Sequence, residues 1–253
     1  MKKIFFLIIF SSTLLINAQP YNAYKDGEWL RFKISYSGWL KAGEATLDLS
    51  SDVDNYIVKA VGKSTGPLKW FFKVEDFYES NFSKKTGLPR LFKRKINEGG
   101  HTKNLTIEFD QNLKKATVNN IKKNTIQDFI TKDSVQDMLS VFYHLRNNYN
   151  IDSINYEEDF AVNMFFDSEN YEFKMKFLGI ETINTKFGKI KCIKLRPFVQ
   201  SGRVFKEKES LTLWISADKN KIPIKIKADL VVGSIVVNLD AFSGLNHPFE
   251  IKF

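Results

Sequence analysis

The residues of this chain equipped for chemistry are few: His101, His144, His247, the single Cys192, and the cluster Tyr143-His144 with Arg146. A metal centre needs histidines, cysteines or carboxylates at ligand spacing, and the three histidines are too widely separated in the sequence to supply it. An esterase nucleophile would show a Gly-x-Ser-x-Gly elbow and a zinc protease a His-Glu-x-x-His pair. The first spacing occurs once, at Gly62-Lys63-Ser64-Thr65-Gly66, a lone match with no base assigned to it; neither the His-Glu-x-x-His pair nor a glycine-rich phosphate loop occurs. Cys192 lies in "KIKCIKL", an alternating stretch that makes it a small buried hydrophobe on a strand. A reactive thiolate wants a base or a helix N-terminus beside it, and neither is visible there. These patterns predict no catalytic residues, no metal and no cofactor.

Tyr143, His144 and Arg146 belong to "DSVQDMLSVFYHLRNNYN", residues 133–150. Val135, Met138, Leu139 and Phe142 recur at helical spacing, and Asp133 with Gln136 makes a capping-box-like start. The spacing therefore predicts an amphipathic helix over 133–148. His144 falls at the flank of its apolar stripe. It is then either a rim residue, with Arg146 favoured at the helix C-terminus by the macrodipole, or part of a polar patch that grips a ligand head group. One histidine without a partner is not an acid–base site.

What must position these groups is a sheet. From Trp29 onward, short runs rich in Val, Ile, Phe, Tyr and Thr are separated by turn clusters such as "SSDVDN", "KTGLP" and "SADKNK". In "FAVNMFFDSENYEFKMKF", Phe160, Val162, Met164 and Phe166 share one strand face, and Tyr171, Phe173, Met175 and Phe177 share one face of the next. In "IPIKIKADLVVGSIVVNLDAF" the apolar phase flips at Gly233-Ser234. A hairpin with a two-residue turn would set Val232 opposite Ile235, Leu230 opposite Val237 and Lys227 opposite Asp240. A bulge in one long strand is the other solution. Adjacent Phe71 and Phe72 would face opposite sides of a strand. A short helix needs tertiary burial to hold it. The expected architecture is mainly β: a single-domain curved antiparallel sheet or half-open β-barrel, with the helix packed on its concave side.

Residues 1–18 read as a secretory signal peptide: Lys2 and Lys3, an apolar run from Ile4 to Ile16, and cleavage after Ala18. Ser11, Ser12 and Thr13 interrupt that run, which falls short of a membrane span. The expectation is an exported, periplasmic, soluble protein whose residues 19–253 form one β-rich domain. Lys plus Arg total 38 against 29 for Asp plus Glu, spread along the strands. This suits a solvated sheet face or an anionic membrane surface and, in an exported chain, not nucleic acid. The 23 Phe, nine Tyr and four Trp exceed an ordinary core's need and point to two-sided burial or to an apolar pocket for acyl chains. Phe142, His144, Phe160, Met164, Phe173 and Met175 are the candidate ligand-lining residues, the ligand being a lipid or acyl chain. The alternating C-terminal "FEIKF" raises an outer-membrane barrel, against which Pro248 and the capped helix argue.

Four stretches carry a resemblance: "ISYSGWLKAGEATLDL" (34–49), "DSVQDMLSVFYHLR" (133–146), "GKIKCIKLRP" (188–197) and "LTLWISADKNKIPIKIKADLVVGSIVVNL" (211–239). In this order they resemble the exported bacterial family catalogued as domain of unknown function 3108. The resemblance implies no activity, catalytic residue or cofactor. The expected layout is also similar to periplasmic carriers that shelter the acyl chains of lipoproteins. Two functions follow as expectations. One is a non-catalytic envelope protein that binds a lipid or other apolar group in a half-open β-barrel. The other is a structural or protein-interaction module of the cell envelope with a fully packed interior. A cavity inside the sheet separates them.

Overall fold

A computed structural model describes residues 22–71, 73–149, 155–198 and 210–251. The expected leader, residues 1–18, lies outside them. The strands are β1 (Glu28–Tyr36), β2 (Leu40–Ser51), β3 (Asn55–Ser64), β4 (Val74–Ser83), β5 (Pro89–Glu98), β6 (His101–Asp110) and β7 (Lys115–Asn120). Then follow β8 (Thr125–Ile130), β9 (Asp159–Phe166), β10 (Glu169–Thr185), β11 (Gly188–Pro197), β12 (Leu211–Ser216), β13 (Pro223–Asp229) and β14 (Ser234–Ser243). They form one 14-stranded sheet in the order β8-β7-β6-β5-β4-β3-β2-β1-β14-β13-β12-β11-β10-β9. First and last strands pair at its centre, and β8 and β9 are edges that do not close on each other. The chain is mainly β, as its alternation implies. The helices are a single turn, α1 (Leu68–Phe71), and α2 (Ser140–Asn148). No described helix is long and apolar enough to cross a membrane.

Side chains alternate across each strand. Leu105, Ile107 and Phe109 of β6 and Ala116 and Val118 of β7 therefore point one way and are buried. They pack with Phe82, Phe92 and Phe165 around Val135, Leu139 and Tyr143, so α2 and the segment before it fill the curve of the sheet. Ladder pairing also alternates the connections between two ends. The β1–β2, β3–β4, β5–β6, β7–β8, β9–β10 and β13–β14 turns leave at one end. The other end receives Asn22–Tyr24, the C-terminal part of α2 and the chain beyond β14.

The β9–β10 hairpin has the pattern its sequence implies: Met164 faces Tyr171, Val162 faces Phe173 and Phe160 faces Met175. The second hairpin also forms, in a different register. Ala228 faces Ile235, Ile226 faces Val237 and Lys227 faces Val236, because Leu230–Gly233 make the turn. Gly233 has φ 72°, and a side chain there would collide with the Tyr36 ring. The shift is an even number of residues, so the apolar face survives. Asp240 is left to bind Arg31, Lys33 and Lys186.

The helix starts later than its spacing suggests. Ser134 has φ 52°, a left-handed conformation that a helix cannot run through. Gln136 forms a parallel bridge to Met164, its N–H donating to Asn163 O at 2.8 Å and its carbonyl accepting Phe165 N–H at 2.9 Å. Asp137, not Asp133, serves the helix start: its Oδ1 accepts the N–H groups of Leu139 and Ser140, both at 2.8 Å. Two further expectations fail. Phe71 ends the helical turn α1 rather than entering a strand, and Phe72 lies outside the described residues. Residues 248–251 form no strand; Phe249 packs on Phe187 and Phe242 instead.

Candidate functional site

Arg146 lies in the last turn of α2, the helix end where the macrodipole favours a cation, but it is buried and not at a rim. It is 1% exposed and forks onto Glu28, Nη1 to Oε1 and Nη2 to Oε2 each at 2.6 Å. Its Nε donates to Asn220 O at 2.9 Å and Nη2 to Ala23 O at 3.2 Å. The rings of Tyr24, Phe142 and Tyr143 lie 5.2–5.3 Å from the guanidinium carbon. Burial opposes its charge, but the hydrogen bonds and charge of Glu28 outweigh that and raise its pKa. Breaking such a buried pair from one side costs about 3–5 kcal/mol. Nearby, Asp137 is fully buried, bonded to Ser80 Oγ at 2.5 Å, and burial pushes its carboxyl up to about 6.

The residues expected to line a ligand site do not all converge. Phe142, Phe160 and Met175 border one recess with Leu145, Tyr149, Leu195, Leu213 and Ile215, but its volume is about 40 Å³. Ligand pockets run from about 300 Å³. Met164 and Phe173 pack instead with Val141, Val162 and Met138. His144 is half-buried, within 3.3 Å of Gln136 Nε2 and 3.2 Å of Asn148 Nδ2, and burial lowers its pKa. The helix face differs too: Ser140, Val141, Tyr143 and Arg146 are its buried residues, while Met138 and Phe142 are half-buried. Cys192 is fully buried in β11, and burial pushes its thiol up to about 12. Among the described residues no group of three His, Cys, Asp or Glu is placed to hold a metal ion.

A larger cleft lies elsewhere, between β6, β7 and the β9–β10 turn. It measures about 670 Å³. Leu105, Val118 and Phe166 give it apolar lining; His101, Lys103, Lys122, Lys123, Asp167 and Glu169 give it charge or polarity. Asp167 is held by Lys103 and by Arg94, the latter at 2.7 Å. Burial resists ionisation of this carboxyl, but those hydrogen bonds win and lower its pKa. Lys122 donates to Thr102. A second cleft of about 620 Å³ adjoins it, sharing Thr102, Lys103 and Lys122 and lined also by Asp76, Lys63 and Lys95. Burial raises the Asp76 carboxyl to about 6, helped by the charge of Glu98. Such an arrangement can hold an anionic group above an apolar floor.

The family model described as protein of unknown function, DUF3108, matches residues 31–240. The chain belongs to that family. No curated protein matches it. Among solved structures, a β-barrel-like protein of domain of unknown function DUF1849 from Brucella abortus is 9% identical with a TM-score of 0.56, covering 89% of this chain and 100% of its own. That likeness concerns the fold alone. A Bacteroides fragilis protein described as exported and of YmcC-like fold is 9% identical at a TM-score of 0.34, covering 88% and 98%, too low to bear on the fold.

The DUF3108 match spans Arg146 and the cleft lysines but not Glu28, and the sequence pattern singled out neither Glu28 nor those lysines. Two signals were present. Glu28 shares strand phase with Leu30 and Phe32, so it points inward and needs a cation. Arg94 likewise keeps phase with Phe92 and Ile96. The cleft lysines left no such mark, because a lysine in a turn, as Lys122 and Lys123, or on the outer part of a strand, as Lys103, is ordinary.

Proposed function

We propose that the chain is an exported, non-catalytic envelope protein, residues 19–253 acting as one domain, that binds an amphiphile with an anionic head in the unclosed seam of its half-barrel. The observation that carries this reading is the 670 Å³ cleft with Leu105, Val118 and Phe166 on its apolar side and Lys103, Lys122 and Lys123 at its polar side. Its size falls within the range of small-molecule pockets, about 300–1,000 Å³. Lysines suit a carboxylate or phosphate head, and the apolar side suits the first part of an acyl chain. The basic-then-apolar leader supports export to the periplasm.

The test is titration of delipidated protein with a fluorescent fatty acid. Saturable binding is expected, weakened roughly tenfold by Lys122→Glu with Lys123→Glu and blocked by Val118→Trp. Lipids co-purifying from the native envelope would name the ligand. A second reading, the packed structural or protein-interaction module, is favoured by the 40 Å³ recess beneath α2. Absence of probe binding by the wild type selects it.

A further inference from the structure

The end of the sheet where the cleft opens also carries large apolar side chains in solvent. Trp39, in the β1–β2 turn, is 78% exposed, and Trp70, in α1, is 87% exposed. Val231 and Val232, in the β13–β14 turn, are 62% and 73% exposed. In sheet order β13, β14, β1, β2, β3 and β4 are consecutive, so these three connections stand side by side on one rim. They are also bonded to one another. Ser37 N–H donates to Ser234 O at 2.7 Å, and Tyr36 Oη to Val232 O at 3.0 Å. Thr65 N–H donates to Ala42 O at 2.9 Å, and a Cβ on Gly66 would sit 3.1 Å from Lys41 O. The rim is thus one built surface and not three independent loops.

Isolated exposed apolar residues need no explanation, but two tryptophans and two valines on adjacent tips do. At the opposite end the exposed large apolar residues, Val53, Leu113, Ile130 and Tyr156, fall on separated segments and include no tryptophan. Lys41 and Lys69 lie exposed within the Trp rim, and Lys73 is exposed beside Glu75, 3.0 Å away. Tryptophan is the side chain that partitions to the membrane–water interface, where its ring is buried and its N–H stays hydrated. Lysines beside it are drawn to anionic headgroups.

We infer that the rim formed by Trp39, Trp70, Val231 and Val232, with Lys41 and Lys69, docks the protein on an anionic lipid bilayer. The surface is peripheral: tips enter the headgroup region while the sheet stays in water. Docking would present the mouth of the seam cleft to the same bilayer, but it does not rest on ligand binding there.

The experiment is flotation of the processed, exported protein with vesicles of phosphatidylcholine containing about a third phosphatidylglycerol. The wild type is expected to float, with a blue shift in tryptophan emission. Trp39→Ser with Trp70→Ser should lower the partition coefficient roughly tenfold without changing the thermal midpoint or fluorescent fatty-acid binding. Lys41→Gln with Lys69→Gln should lower it roughly tenfold, an effect lost in about 0.5 M salt. A wild type that does not float, or a double tryptophan variant that floats equally well, overturns the proposal. Equal flotation on pure phosphatidylcholine overturns the assignment to an anionic surface. Because the probe titration and the flotation use different residues, either can fail without the other.

Discussion

At one end of the half-barrel a guanidinium and a carboxylate are buried together; at the other, lysines of the same sheet stand in solvent around an apolar floor. Each guanidinium nitrogen of Arg146 in the buried pair with Glu28 has a partner, and Asn22, Asn147, Asn220 and His247 extend the network so that both ends of the described chain are tied to α2. The cleft at the open end has loose chemistry instead. Lys122 meets Thr102 at the surface, where such a contact contributes at most about 1 kcal/mol, and Lys103 meets the half-buried Asp167. Charge inside the fold holds the fold together, whereas charge at the mouth is free to meet something else.

The largest expected effect tests the closed end. Arg146→Met should lower unfolding free energy by about 3–5 kcal/mol in urea titrations, because it strands the Glu28 carboxylate. Adding Glu28→Gln should restore part of it. If Arg146→Met costs no more than a surface change, the contrast between the ends is broken.

Next comes pH. The unfolded chain releases the Asp137 proton near the ordinary carboxylate value, about 4, and the folded chain near 6. Between these the folded state holds more protons, so this group's contribution is fully present below about 4 and is lost as pH rises through about 6. The slope should be on the order of 1 kcal/mol per pH unit. Asp137→Asn keeps an oxygen for the Leu139 and Ser140 N–H groups and should flatten it. An unchanged slope in denaturation curves across pH 4–7 would show that another group is responsible.

Smaller effects sharpen the picture. Cys192→Ala should cost about 1 kcal/mol, and native protein should resist iodoacetamide, since the thiol is buried and fully protonated at neutral pH. Tyr143 Oη is buried with no hydrogen-bond partner among the described residues. Tyr143→Phe should therefore be neutral or stabilising by up to about 1 kcal/mol. At the open end, Lys123→Glu should leave stability within about 0.5 kcal/mol while weakening the fatty-acid probe. A large stability loss there would mean that the cleft lysines belong to the fold after all.

The sequence by itself determined the strand faces. Alternation in β9 and β10 placed Met164 against Tyr171 and Phe160 against Met175, because side-chain direction on a strand depends only on parity along the chain. Parity also survived the four-residue shift of the β13–β14 register, although the turn did not. It likewise implied that a helical stretch near 140 must lie on an apolar surface. Tertiary structure decided the rest. Helical spacing continues back to Val135, yet a β-bridge at Gln136 and the left-handed Ser134 stop the helix, since β9 offered those backbone groups partners that a helix would have refused. Arg146 reads as a cation suited to a helix C-terminus and is in fact the centre of a buried network, because Glu28 waits 118 residues away in the chain. The cleft and the tryptophan rim are assembled from turns of several strands that have no signature in any one segment. Local pattern sets which way a side chain points; only the closing of distant strands sets what it meets there.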